Sequence, residues 1–311
     1  MKELLLIFSL SFFMSFVSGQ RINKNETIQF KNSEDSLNKI AIRILQGFSF
    51  EERRFSDSSF TKILVRALKK NNSFYYSFPN LKSISILYPS DSSFRIFTWQ
   101  MKINEDAYVH HGAIQINKED GSLKLIPLFD KSNDIENTED TVSNNLCWMG
   151  AIYYKIIQTP FNDEKLYTLL GFNEYGLKSN KKVIEVMHFE NGIPIFGGDY
   201  FSTPKDESVS KKCSRFVMEY KKNATPRLNY DEDLKMIIKE HLISETDEPE
   251  KKYSLIGDGD YEGFTWKNGK WNYVLKVFDT KTPNGQAPIP APIRDQDGRI
   301  DNKKLKETNN Q

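Results

Sequence analysis

Residues 94–115, FRIFTWQMKINEDAYVHHGAIQ, carry the pattern that decides the fold. They predict two β-strands joined by a polar connection at Asn104–Asp106. Successive side chains of a strand point to opposite sides. One predicted face of the first strand carries Arg95, Phe97, Trp99 and Met101, and the other carries Phe94, Ile96, Thr98 and Gln100. Because both faces carry bulky apolar groups, the pattern favours a strand inside a stacked β architecture over an open sheet with one solvent-exposed face.

Two amphipathic helices are predicted before this sheet. Apolar residues recur at helical spacing in a segment that starts at Ser33 and in another that starts near Asp57–Ser59. The first stripe is Leu37, Ile40, Ala41, Ile44 and Leu45, and the second is Phe60, Ile63, Leu64, Ala67 and Leu68. After a polar lead-in over residues 20–32, the two helices are predicted to form an αα-hairpin laid against the β region.

From Lys82 onward the apolar period changes to two, which predicts strands. The predicted strands are 82–88, 93–101, 107–117, 122–129, 146–157, 165–172, 182–190, 193–197, 213–221, 224–230, 235–242, 261–267 and 270–278. Short connections between them are typical of an antiparallel meander. The spacing of 235–242 also fits a helical turn. The prediction is an α+β, mostly β fold: a short N-terminal α-hairpin followed by a large antiparallel β meander, propeller-like or a sandwich.

Two turns in this region have a strong signature. Asn191-Gly192 and Asn268-Gly269 each lie between strand-like runs and predict two-residue type I′ turns. The second turn predicts that Trp266 and Trp271 face each other across the hairpin.

The N-terminus predicts export. A basic start is followed by the apolar run Leu4–Val17 and by the small residues Ser18 and Gly19. This pattern is typical of a signal peptide over residues 1–19, and the run is shorter than the ~20 residues that a membrane span needs. We therefore expect an exported protein, periplasmic or extracellular, without a transmembrane segment in the mature chain.

The remaining chain divides into three predicted regions: the lead-in and helical hairpin over 20–80, the β domain over 81–279, and a proline-containing, disordered tail over 280–311. The net charge of +1, from 43 basic and 42 acidic residues, argues against a dedicated nucleic-acid binder.

The sequence lacks the common catalytic and metal-binding motifs. It has no GxSxG, no HExxH and no Cys/His zinc spacing. Residues 257–263, GDGDYEG, match a dinucleotide loop and a calcium loop only in part, and a turn before strand 261–267 is the prediction there. We expect neither a cofactor nor a metal, and the motifs assign no catalytic residue.

Four residues are candidates for facing a ligand: Trp99, His110, His111 and Trp148. The two histidines are adjacent and should point to opposite faces of a strand, so they cannot jointly bind one metal. For the aromatic residues, core packing is the alternative. Export allows a disulfide between Cys147 and Cys213, and two buried thiols are the other alternative.

Three stretches resemble exported proteins of unknown function from Bacteroidota-type bacteria. They are LYPSDSSFRIFTWQ at 87–100, YTLLGFNEYGLKSNKKVIEVMHFENGIPIFGG at 167–198 and YEGFTWKNGKWNYV at 261–274. The resemblance implies an exported location and a β-rich body, and it brings no catalytic residues.

Two functions are therefore weighed. One is a non-catalytic binding or structural protein of the envelope or the extracellular space, with an unknown ligand or envelope partner. The other is a secreted hydrolase acting on glycan or lipid. A pocket with two or more buried titratable groups of opposed pKa shifts would favour the hydrolase.

Overall fold

Four layers stack in the order helix pair, first sheet, second sheet and third sheet. A computed structural model describes residues 22–202 and 213–278. A hydrophobic core fills each of the three spaces between neighbouring layers. The α+β, mostly β prediction is confirmed. The predicted signal peptide and the predicted tail over 280–311 lie outside the described residues.

The first helix, α1, spans Lys24–Gln46 and begins well before the predicted start at Ser33. Asn23 and Glu26 form a capping box, in which each side chain accepts a hydrogen bond from the backbone N–H of the other residue. The prediction of a polar lead-in is therefore wrong for residues 24–32. The apolar stripe begins later than the helix, so it could not mark the helix start.

The second helix, α2, spans Phe50–Leu68, so its predicted start near Asp57–Ser59 is also wrong. Ser49 caps it by accepting a hydrogen bond from the backbone N–H of Glu52 at 3.1 Å. The two helices form the predicted αα-hairpin against the first sheet. No helix in the described part of the chain is both long and apolar enough to cross a bilayer.

Fifteen strands follow the helices in the described ranges. They are β1 (Ser85–Leu87), β2 (Phe94–Lys102), β3 (Tyr108–Ile116), β4 (Lys124–Phe129), β5 (Ser143–Asn144), β6 (Ile152–Gln158), β7 (Tyr167–Asn173), β8 (Ser179–Glu190), β9 (Ile193–Phe196), β10 (Phe201–Ser202), β11 (Arg215–Lys221), β12 (Leu228–Asp231), β13 (Met236–Ser244), β14 (Leu255–Lys267) and β15 (Lys270–Val274).

Each sheet contains one four-stranded antiparallel meander. The first sheet is β1-β2-β3-β4, the second is β5-β9-β8-β7-β6 with β11 also paired to β8, and the third is β10-β15-β14-β13-β12. The short β10 departs from the antiparallel pattern, because it runs parallel to β15. No core cluster of the described residues joins the first sheet to the third, so the stack matches the sandwich alternative rather than a closed propeller.

The two faces of β2 are covered as its sequence pattern predicts. Phe97, Trp99 and Met101 pack with the helices. Phe94 and Ile96 pack against the second sheet. The strand is therefore enclosed by two cores.

The predicted hairpins have the predicted register. Asn191 and Gly192 have φ angles of 51° and 79°, and Asn268 and Gly269 have 55° and 75°, as type I′ turns require. Trp266 is the cross-strand partner of Trp271, and their ring centroids lie 5.3 Å apart.

Three strand predictions are corrected or refined. Residues 236–242 belong to β13, so the strand interpretation is confirmed, although Lys235 still lies in the preceding turn. The turn predicted before residue 261 is wrong, because residues 255–260 belong to β14. The strand bulges there: Glu240 pairs with Tyr261 and Leu242 with Gly257, so the extra residues 258–260 lie in β14. The strand predicted over 146–157 begins only at Ile152. The chain before it runs beside the end of β4, where the Trp148 N–H donates to the carbonyl O of Phe129 at 2.9 Å.

Candidate binding site

A cleft of about 470 Å³ opens between the first and second sheets, at the end where β2 and β7 begin. Its volume is typical of small-molecule sites. We call it the seam cleft. The first sheet and its flanking residues contribute Ser93, Phe94, Ile116 and Lys124, and the second sheet and its flanking residues contribute Glu164, Lys165, Tyr167, His188, Phe189, Glu190 and Gly192.

The floor of the seam cleft is apolar and aromatic. Phe94 is fully buried, and its ring makes edge contacts with Tyr167 at 4.8 Å and Phe189 at 5.5 Å between centroids. Phe189 is held in place by the tight Asn191-Gly192 turn, because it pairs with Pro194 across that hairpin. The turn therefore fixes one side of the cleft.

One wall is ordered by a hydrogen-bonded group around Asp91. Its Oδ2 accepts from the Tyr167 hydroxyl and from the Lys165 ammonium, both at 3.1 Å, and its Oδ1 accepts from the Ser93 hydroxyl at 2.7 Å. Burial alone would raise the pKa of Asp91, but these hydrogen bonds outweigh burial and hold that pKa below its usual value. Burial, aided by the Asp91 charge, raises the pKa of Tyr167 to about 12.

Two charges on the cleft have no ion-pair partner among the described residues. Lys124 stands on the first-sheet side and Glu164 on the second-sheet side. By contrast, His188 Nε2 lies 2.9 Å from Glu190 Oε1. The cleft thus presents an apolar floor, one available cation and one available anion.

The pKa shifts in the cleft do not resemble those of an acid–base catalyst. They keep Asp91 ionised and Tyr167 neutral at pH 7, which are the ordinary states of both groups. A general acid or base needs a pKa moved toward the working pH. The two shifts are opposed, but both move the pKa away from pH 7 and Asp91 is only partly buried, so they do not favour a hydrolase.

Each of the four histidines lies beside a carboxylate. The N–O distances are 3.1 Å for His110–Asp130, 3.2 Å for His111–Asp57, 2.9 Å for His188–Glu190 and 2.7 Å for His241–Asp258. Within the described ranges, no histidine hydrogen-bonds a hydroxyl or thiol, as a nucleophile–base pair would require. The same ranges contain no group of three or more His, Cys, Asp or Glu side chains placed to hold a metal ion.

Trp99 and His111 lie together on the helix side of the first sheet. Their rings stack at 5.5 Å, and Trp99 Nε1 donates to Asp57 Oδ1 of α2 at 2.8 Å. Burial lowers the pKa of His111, although the charge of Asp57 opposes this shift. The pair docks α2 onto the sheet and lies outside the seam cleft.

His110 and Trp148 lie on the other side, between the first and second sheets. His110 is buried against Asp130. Trp148 is fully buried and donates from Nε1 to the Tyr153 hydroxyl at 2.8 Å. Neither residue lines the seam cleft, so the structure brings none of the four predicted ligand-facing residues into it.

The two cysteines are not bonded to each other. Both carry reduced thiols, and the thiol of Cys213 donates to the carbonyl O of Arg215 at 2.7 Å. The structure therefore has two thiols rather than a disulfide, and both are half-buried instead of buried as the second alternative expected.

Apart from the Asn191-Gly192 turn, the residues of the seam cleft belong to no recognisable sequence motif. Lys124, Glu164, Tyr167 and His188 come from three separate parts of the chain. Only the stacking of two sheets brings these strand ends together, and single-sequence patterns do not give the relative placement of two sheets.

Comparisons of the chain with protein-family models, curated proteins and solved structures found no match.

Proposed function

We propose that this chain is an exported, non-catalytic binding protein that holds a small ligand in the seam cleft. The observation that carries the proposal is the combination of a floor formed by Phe94 and Phe189 with the available charges of Lys124 and Glu164 on opposite sides. Sites of this kind bind through apolar contact and gain orientation from a few polar groups.

The ligand class follows from this lining. An apolar or ring-shaped part would lie on Phe189, a carboxylate or another anionic group would face Lys124, and a hydrogen-bond donor or cation would face Glu164. A molecule with all three features, such as an amino-acid or short-peptide derivative, matches the cleft better than a purely apolar lipid chain.

Binding without chemistry is supported by the pKa shifts and by the histidine partners. A hydrolase needs a nucleophile or an activated water next to a base that is itself oriented by a third group. In the seam cleft, His188 is paired with Glu190 and makes no contact with Ser93, the hydroxyl on the opposite side.

A ligand screen tests the proposal. Thermal unfolding is measured with a panel of amino acids, dipeptides, short glycans and fatty acids, and every hit is titrated against wild type, Lys124→Glu and Lys31→Glu. Lys31 lies on the exposed face of α1 and provides a charge-matched control. We expect an amphipathic anionic hit that Lys124→Glu weakens at least tenfold and Lys31→Glu leaves unchanged. Equal weakening by both variants, or a panel without hits, would count against the seam cleft.

Export is tested separately. Mass spectrometry of the protein secreted by an expressing bacterium is expected to show Gln20 as the first residue. A product that retains Leu4–Val17 would contradict the exported part of the proposal.

A further inference from the structure

One edge of β2 has no neighbouring strand beyond the first residue of β1. Ser85, the first residue of β1, pairs with Thr98, whereas β2 continues to Lys102. Over Trp99–Lys102 the strand is paired only with β3. At about 3.3 Å per residue, this leaves roughly 13 Å of strand edge without a neighbouring strand.

The main chain of Gln100 points out of this open edge. The N–H of Ile103 donates toward β3, to the carbonyl O of Ala107 at 2.8 Å. In an antiparallel strand, the backbone groups of alternate residues point to opposite sides. The N–H and C=O of Gln100 therefore point away from β3, in the direction in which Thr98 meets Ser85. No described residue hydrogen-bonds to either group.

The open edge has a defined end. Arg53 of α2 donates from Nε to the carbonyl O of Lys102 at 2.7 Å and from Nη2 to that of Ile103 at 3.0 Å. These bonds close the edge after Lys102. The backbone groups that remain without a hydrogen bond along the open edge are the N–H and C=O of Gln100 and the N–H of Lys102.

A second cavity, of about 400 Å³, lies along this edge, and we call it the edge cavity. Its walls include apolar side chains from three layers: Ile44, Leu45, Trp99, Tyr154 and Phe172. Leu45 and Tyr154 are partly exposed, so the cavity opens to solvent. An unpaired strand edge beside apolar walls is the arrangement that receives an added peptide strand.

We propose that the edge cavity binds an extended peptide segment of a partner protein, which continues the first sheet beyond β1. The peptide backbone would pair with Gln100, and an apolar side chain of the peptide would lie against Leu45 and Trp99. The register supports this occupant, because a strand continuing the line of β1 at the ordinary inter-strand spacing of about 4.8 Å would run along the cavity. The inference is independent of the seam cleft, since the two cavities share no lining residue.

A substitution of one backbone donor tests the proposal. Gln100→Pro removes an N–H that makes no hydrogen bond in the described structure, and proline is tolerated at such edge positions. Gln100→Ala keeps the N–H and removes the side chain, so it is the matched control. Leu45→Glu, at a partly exposed helix position, places a charge at the mouth of the cavity without changing the strand.

The probe is a random heptapeptide library displayed on phage and selected against the wild-type chain, followed by synthetic copies of the selected peptides. We expect peptides with alternating apolar residues, bound at least tenfold more weakly by Gln100→Pro and by Leu45→Glu and equally well by Gln100→Ala. Bound peptide should also slow amide exchange of Gln100 at least tenfold while leaving that of Thr98 unchanged.

Several outcomes would overturn the proposal. They are the absence of enriched peptides, peptides that bind Leu45→Glu as tightly as wild type, and unchanged exchange at Gln100. Dimerisation of the free chain that Leu45→Glu abolishes would assign the edge to a second copy instead of a partner peptide. Thermal unfolding of each variant shows whether it is folded. If Gln100→Pro is unfolded, the result for Leu45→Glu decides the test.

Discussion

At the residue scale, buried polar side chains contribute to the order of this molecule alongside its apolar cores. Arg95 is fully buried, and it donates to Gln115 Oε1 at 2.8 Å and to the carbonyl O of Ser73 at 2.8 Å. Its guanidinium also lies over four aromatic rings, of which Phe97 is the nearest at 4.8 Å. Burial lowers the pKa of Arg95, and these contacts compensate part of the cost of burying its charge.

The buried ion pair of Arg215 and Glu185 gives the first prediction. Arg215 Nε lies 2.9 Å from Glu185 Oε2, and both side chains are almost inaccessible to solvent. Arg215→Met leaves the Glu185 charge buried without its cation, which costs about 3–5 kcal/mol in the free energy of unfolding measured with urea. Lys221→Met, which removes an exposed ion pair with Glu245, should cost at most about 1 kcal/mol. Equal costs would contradict this account of the pair.

The second prediction concerns acid stability. Burial alone would raise the pKa of Asp130, but hydrogen bonds with His110 and Ser132 lower it to about 2. A carboxyl whose pKa is lower in the folded state stabilises the fold above its unfolded pKa, and this contribution is lost as the pH falls. It should be complete above about pH 4, disappear toward pH 2, and amount to about 2 kcal/mol.

Asp130→Asn tests this through urea unfolding at several pH values. The variant should lose about 2 kcal/mol at pH 7 and show a flatter decline between pH 4 and pH 2 than wild type does. Asp134→Asn is the control, because that carboxyl is largely exposed and pairs only with the exposed Lys131. A variant that keeps the wild-type decline would refute the role given to Asp130.

At the element scale, the two type I′ turns allow a matched comparison. Both glycines have positive φ, so an alanine at either should cost about 1 kcal/mol. A Cβ at Gly269 would also lie 2.6 Å from the ring of Phe161, whereas at Gly192 the nearest atom is the flexible Lys124 ammonium at 3.4 Å. Gly269→Ala should therefore cost about 2–3 kcal/mol and Gly192→Ala about 1 kcal/mol in urea unfolding. The reverse order would show that contacts beyond the turns decide the cost.

Elements with a local signature could be predicted from the sequence. The period-two pattern of β2 predicted the right strand, and the Asn-Gly turns predicted the right hairpin registers, because both signals depend on neighbouring residues. Helix starts were missed, since Asn23 and Ser49 act as caps in polar stretches without an apolar stripe. The two-residue strand β10 was missed because it exists only by pairing with a distant strand.

At the scale of the whole molecule, the sequence predicts that β2 lies between two layers but not how the layers are arranged. The apolar groups on both faces of β2 indicated that layers lie on each side of it. They did not indicate which layers these are. The seam cleft forms where two sheets meet, so it could not be predicted from the sequence. The buried Arg95 shows the same limit, because its partners at Ser73 and Gln115 are distant in sequence.

The fourth prediction concerns the two cysteines. Cys147 precedes β6 and Cys213 precedes β11, and both thiols are reduced in the structure. Thiol titration of the denatured, unreduced protein should therefore find two reactive groups per chain. Finding none would mean that the sulfurs are bonded, and the layers between residues 147 and 213 would have to be rearranged.

The central claim is that the seam cleft binds a ligand and leaves it unchanged. The most direct test is calorimetric titration of the best hit from the ligand screen, followed by mass spectrometry of the same ligand after prolonged incubation with the protein. The account predicts saturable binding, at least tenfold weaker binding to Lys124→Glu, and recovery of the ligand at its original mass. Equal affinity of wild type and Lys124→Glu for the ligand, or recovery of the ligand as a cleaved product, would contradict it.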